Sequence, residues 1–279
     1  MSGNFKPLPG TQLNLDHPLA YGLVGCWLMN EGSGGNVHDY SGQGNEGTIS
    51  GMNDPPIATS GWNAGPHGGA LAFDGVNDYV SGLFNIHDVL PSAESFSIVS
   101  WLYPTVANLG KTFIGAPGSP RFYIRQGTNP TFALGNAFNA MTGMYFTVEN
   151  QMCAFIYDAP ASKLKAYRNS MLLSNINYVG DGITPSLTLN IGSNSTTEFF
   201  AGSISLISIY NRALSAEEIA YLYAFPYCMF EQPTDDWRQF IVPYIPVRDL
   251  DRIIAAETVR SINSGRSKGA SVPTRIRGV

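Results

Sequence analysis

The chain is short of charge. Lys, Arg, Asp and Glu make up 13% of its 279 residues, about half of the usual quarter. That excludes a helical protein carried by Glu and Lys faces. Cysteine is scarce as well. Cys26, Cys153 and Cys228 lie far apart with no CxxC pair, so neither a disulfide framework nor a zinc site can be read from them. Cys26 and Cys153 sit in apolar runs and read as buried thiols. No apolar run approaches the roughly 18 residues of a membrane helix. The opening residues lack a basic segment followed by an apolar one, so no secretory signal is expected. Catalytic signatures are missing too. Glycoside hydrolysis needs two facing carboxylates, and no Glu-x-Asp-x-x-Glu spacing occurs. The four histidines (His17, His38, His67 and His87) are scattered, without metal-ligand spacing.

What is present is glycine, aromatics and short apolar segments. The chain holds 30 Gly, 15 Phe and 14 Tyr. Runs such as Gly22–Met29, Ser95–Tyr103, Cys153–Tyr157 and Phe199–Tyr210 recur between Gly, Asn, Asp and Pro punctuation. Leu164–Arg168 and Ser170–Ser174 read as a hairpin, and Gly51–Gly69 as a loop carrying Trp62. Many short strands with tight turns predict an all-β sandwich or barrel. One helix is expected in the body, over Leu214–Ala224. Ser215 caps it, Glu218 completes a capping box, and Pro226 follows its end. A second helix is expected over Asp249–Ile262. The organisation that follows is an arm over 1–20, a strand-rich domain over 21–225 and an extended tail over 226–279.

Positive charge is concentrated at one end. Residues 231–279 hold eight of the 16 Lys and Arg, and from Arg260 onward there are five basic residues and no acidic one. Such an end is a solvated tail or a docking segment. Gly42-Gln43-Gly44-Asn45-Glu46-Gly47 matches GxGxxG, but a strand-like Thr48-Ile49-Ser50 follows instead of a helix, so the glycines read as a turn.

Three phrases stand in fixed order: Asp39–Gly47 (DYSGQGNEG), Phe73–Val80 (FDGVNDYV) and Ile209–Tyr223 (IYNRALSAEEIAYLY). Together they resemble the laminin-G-like, concanavalin A-like jellyroll domains over about residues 21–225. The resemblance implies a two-sheet antiparallel jellyroll with one closing helix, and binding in place of catalysis. Pro226-Tyr227-Cys228-Met229-Phe230 is similar to endings of laminin-G-like proteins encoded by bacteriophages. That implies a virion protein, made in a host cytoplasm.

Calcium is the cofactor the resemblance suggests. Asp39, Asn45, Asp74 and Asp78 supply hard oxygen donors in the two signature loops; as Asx-turn formers the same residues need no metal. Trp62, Tyr103, Phe138 and Tyr178 are the candidate sugar-stacking aromatics, expected on exposed loops. The expected function is a non-enzymatic virion structural or adhesive protein, a capsid decoration or tail-associated one. It would attach to other virion proteins or to copies of itself through 1–20 and 231–279, and meet host-surface glycans. Neither a membrane nor nucleic acid is an expected partner. The alternatives are an extracellular or cell-surface bacterial carbohydrate-binding or adhesion module and, behind it, a glycan hydrolase on the same scaffold.

Overall fold

The strands are apolar on both faces because one of the two sheets is covered twice. A computed structural model describes residues 6–231, apart from 66–67, 90–93, 106–109, 117–120, 127–130, 136, 143, 145, 179–187 and 195–197. Contacts divide the chain into Met1–Thr234 and Asp235–Val279. The second unit, and with it the expected helix over Asp249–Ile262, lies outside the described residues.

Among the described residues two antiparallel eight-stranded sheets form the body, the arrangement that the family resemblance implies. The first runs β14 (Met171–Asn177), β13 (Lys163–Arg168), β12 (Gln151–Asp158), β7 (Phe96–Pro104), β16 (Ala201–Tyr210), β5 (Gly68–Asp74) and β4 (Gly61–Gly65). Strand β1 (Leu23–Trp27) also pairs with β16. The second runs β11 (Ala137–Ala140), β10 (Thr131–Gly135), β9 (Arg121–Gln126), β8 (Lys111–Ala116), β15 (Asn190–Ile191), β6 (Tyr79–Ser81), β3 (Gly47–Ser50) and β2 (Asn36–Val37).

Alternation explains where the core sits. Along β12, Cys153, Phe155 and Tyr157 point between the sheets, while Met152, Ala154 and Ile156 point the other way. Both sets are buried. The inner set meets Phe113, Phe122, Phe132 and Ile191 of the second sheet. The outer set joins a second core with Leu19, Ile219, Leu222, Tyr227, Met229 and Phe230. Helix α2 (Ala216–Ala224) and the two chain segments beside it thus roof the first sheet. A short helix α1 (Ile86–Val89) precedes β7.

Local chemistry sets the boundaries. Ser215 Oγ accepts the Glu218 N–H, and the Glu218 carboxylate accepts the Ser215 N–H, so the predicted capping box closes α2. Asn169 and Ser170 take positive φ in the turn between β13 and β14, where the hairpin is expected. Trp62 departs from expectation. It lies in β4, is buried, and donates its Nε1–H to the Gly34 carbonyl at 2.9 Å. The Gly-, Pro- and Asn-rich composition around it hides a strand that pairs with β5.

The packing also breaks elsewhere than at residues 20 and 226. Leu13 bridges Phe230, Asn14 donates its N–H to the Met229 carbonyl, and Glu231 donates to Gln12. Residues 6–20 and 227–231 therefore belong to the roof, where their apolar side chains cover the first sheet. Lys6 is the deepest tie. Strand β16 pairs with β5 over Ala201–Ile204 and with β1 over Ile207–Tyr210, with a bulge between Ile204 and Leu206 where it pairs with β7. At that change of neighbour the Lys6 ammonium donates to the carbonyls of Ser205 (2.7 Å), Leu28 (2.5 Å) and Gly69. Three acceptors match the three N–H donors of an ammonium.

Candidate recognition face

On the outer side of the second sheet Thr112 and Tyr123 are buried, and Arg125 and Glu198 keep part of their surface in solvent. Strand β9 (RFYIRQ) alternates. Phe122 and Ile124 enter the core, so Tyr123 and Arg125 face outward. The register sets Arg125 between Thr112 of β8 and Thr131 of β10, and Tyr123 between Gly115 and Ala133. Glu198, just before the Phe199 bridge to Ser193, reaches over this row. Its Oε1 accepts from Arg125 Nη1 at 3.1 Å. Its Oε2 accepts from Thr112 Oγ1 at 3.0 Å and from Asn194 Nδ2 at 2.9 Å. The Arg125 guanidinium sits 5.6 Å from the centre of the Tyr123 ring, a cation–π distance. Arg125 and Glu198 keep 31% and 27% of their side-chain surface in solvent, so the pair is reachable.

Gly115 makes this arrangement possible. A Cβ there would come within 2.7 Å of Tyr123 Cβ and 2.8 Å of Asn194 Cβ. Only glycine lets Asn194 lie down on the strand and reach Glu198. Sequence reasoning missed these residues. The available signal was the alternation in β9 and the rarity of charge, which makes an outward Arg conspicuous.

The expected calcium ligands are joined by hydrogen bonds as two pairs. Asp39 Oδ1 accepts from the Cys26 and Ser41 N–H groups, and Oδ2 from Ser41 Oγ and the Asn45 N–H, all between 2.8 and 2.9 Å. Four donors fill the acceptor capacity of one carboxylate. Asn45 spends its side-chain N–H on the Val24 carbonyl at 2.8 Å. This pair wires the glycine turn to β1 and leaves Asp39 no lone pair for a metal. Asp74 Oδ1 accepts from the Val76 and Asn77 N–H groups, and Asp78 Oδ2 from the Asp74 N–H. Asp78 is fully buried and its Oδ1 has no hydrogen-bond partner. Burial pushes its pKa up, against the Ser60 and Asp74 hydrogen bonds. Among the described residues no three His, Cys, Asp or Glu side chains converge on a metal position. The donor set does not fit a calcium cage spanning both loops.

The remaining aromatic candidates are dispersed. Tyr103 is half-buried in β7, opposite Ser203. Phe138 lies in β11, paired with Ala133. Tyr178 is half-buried. It packs edge-on against Tyr157 at 5.0 Å, and its hydroxyl donates to the Leu134 carbonyl at 3.3 Å. Tyr178 is thus a tie between the sheets instead of a loop platform. Among the described residues no helix is long and apolar enough to cross a membrane.

The Laminin_G_3 family model, described as concanavalin A-like lectin/glucanases superfamily, matches residues 74–220, more than half of the chain. The chain belongs to this superfamily. The matched span of the concanavalin A-like domain runs from the end of β5 into α2 and includes every residue of the Glu198 cluster. No curated protein matches the chain. Among solved structures, the chain is similar to domain 4 of AbnA, a GH43 extracellular arabinanase from Geobacillus stearothermophilus, in complex with arabinotriose. The TM-score is 0.57 at 18% identity, covering 72% of this chain and 98% of that one. It is also similar to the binding domain of Paraclostridial Mosquitocidal Protein 1 (TM-score 0.55, 12% identity, 72% and 52% covered). A third likeness is to the binding domain of botulinum neurotoxin DC in complex with SialylT (TM-score 0.52, 18% identity, 74% and 52% covered). The chain spans about half the length of the two toxin binding domains. These likenesses concern the fold.

Proposed function

We propose that the chain is a non-catalytic recognition module that binds glycans on the outer face of its second sheet. The observation that carries this reading is the Glu198–Arg125–Thr112–Asn194 cluster, a set of convergent polar groups of which Arg125 and Glu198 reach solvent. Sugar hydroxyls donate and accept at once, and a carboxylate beside a guanidinium offers both functions. The chemistry of hydrolysis is not supplied there. Glu198 is partnered by a guanidinium, whereas bond cleavage needs a second carboxylate about 5 Å away in retaining enzymes and farther off in inverting ones. Domain 4 of the arabinanase, similar in fold, is in complex with arabinotriose.

The test is a glycan-array screen followed by titration calorimetry with wild type and Arg125→Ala. Binding by wild type that the variant loses supports the reading. Binding that survives unchanged places the ligand elsewhere, and turnover of any glycan refutes a non-catalytic role.

A second reading rests on the charge distribution. Eight of 16 basic residues fall in 231–279, which suits attachment of the module to a larger particle, a virion, through that end. The arm over 6–20 packs on its own body, so the grip would lie in Asp235–Val279. Mass spectrometry of purified particles, with the full chain and with a chain ending at Thr234, decides this. Equal incorporation of both excludes the C-terminal grip.

A further inference from the structure

We infer that the outer-face cluster takes neutral, diol-bearing sugars and disfavours sugars that carry a carboxylate. The inference rests on the recognition reading above and names the ligand class for that same site. Glu198 is its hub. A carboxylate has about four acceptor positions, and three are used by Arg125, Thr112 and Asn194. Arg125 brings five N–H donors in a rigid fork, of which one is given to Glu198. The pair is electrically balanced and partly open to solvent. Two neighbouring hydroxyls complete it without any new charge. One donates to the last acceptor position of Glu198, and the other accepts from the fork of Arg125.

An anionic sugar meets a different balance. Its carboxylate finds Arg125 already neutralised and must approach within a few ångströms of Glu198. Asn194 turns its Nδ2 toward Glu198 and so holds the carboxylate in place, with its Oδ1 buried. The Tyr123 ring under the guanidinium and the missing Cβ at Gly115 hold this geometry in place. Swinging Arg125 away to serve an anion would take from the Glu198 carboxylate its cationic partner.

The test uses the full chain and matched glycans that differ only by a sialic acid or uronate. An array first finds the neutral parents that bind, and calorimetry then compares each with its acidic counterpart. Neutral parents are expected to bind at least about tenfold more tightly than their acidic forms, the scale of one charge-assisted hydrogen bond. Glu198→Gln is expected to weaken the neutral parent and to narrow that gap. Acidic forms that bind as well as or better than their parents overturn the inference and leave the recognition reading intact. An array with no binder at all overturns both. The wild-type comparison stands even if the Gln variant fails to fold.

Discussion

Lys6 is the most exacting point at which to perturb this molecule. Lys6→Met keeps the length and apolar stem of the side chain and removes its three donors. The carbonyls of Leu28, Gly69 and Ser205 are then left facing an apolar methyl group where β16 changes partners. A buried acceptor without a partner costs about 1–3 kcal/mol. Three such losses are offset in part because the variant no longer buries a charge, so the net destabilisation is set at about 2–4 kcal/mol. For a domain of this size that lowers Tm by about 5–15 °C. Urea unfolding at pH 7 is the measurement, and a midpoint within error of wild type would refute the reasoning. The pH dependence is a second readout. Burial pulls the Lys6 pKa down from 10.5 to about 7, with the Glu31 carboxylate opposing. The unfolded chain therefore holds one more proton than the fold between those values, and raising pH favours folding in that window. The cost of a buried ammonium is fully present below pH 7 and is gone above pH 10.5. Wild type should gain stability across this range relative to Lys6→Met, by no more than about 5 kcal/mol. Parallel curves for the two proteins would contradict it.

Three further outcomes follow from the same geometry. Ser215→Ala removes the cap of α2 and is expected to cost about 1 kcal/mol, seen as a fall of about 2–4 °C in Tm; no fall would mean that roof packing alone defines the helix. Burial pushes the Cys26 and Cys228 thiols up to about 12, and Cys153 higher still. Iodoacetamide at pH 8 should therefore leave all three unlabelled in the native state and label them in urea, as read by intact mass. Native labelling within minutes would show that the roof opens. Calcium at millimolar concentration should leave Tm unchanged against EGTA, because Asp39 has spent its lone pairs on N–H donors. A rise of several degrees that Asp78→Asn abolishes would assign a cation to the orphan Asp78 oxygen instead.

Some of this molecule could be read residue by residue, and the reason is range. The capping box of α2 spans four residues, and the turn at Asn169 and Ser170 spans two. The phrases DYSGQGNEG and FDGVNDYV carry Asx hydrogen bonds that reach six residues at most from Asp39 and four from Asp74 within the turns. Signals of this length are contained in the sequence, so the elements and the sandwich class follow from it. Trp62 was misplaced because glycine and proline neighbours mask a short strand whose burial depends on β5 and on a carbonyl 28 residues away.

Long separations explain the rest. Lys6 finds an acceptor 199 residues on, and Arg125 and Thr112 find Glu198 at separations of 73 and 86. No local pattern encodes such meetings. They arise when pairing registers align strands drawn from across the chain, and when the outer face of one sheet is covered by the very segments that look like an arm and a tail. The sequence alone determined a β-sandwich with one capped helix in its body and few charges. Tertiary structure decided which face is roofed and which scattered polar residues meet on the other sheet, because burial and strand register are properties of the whole chain.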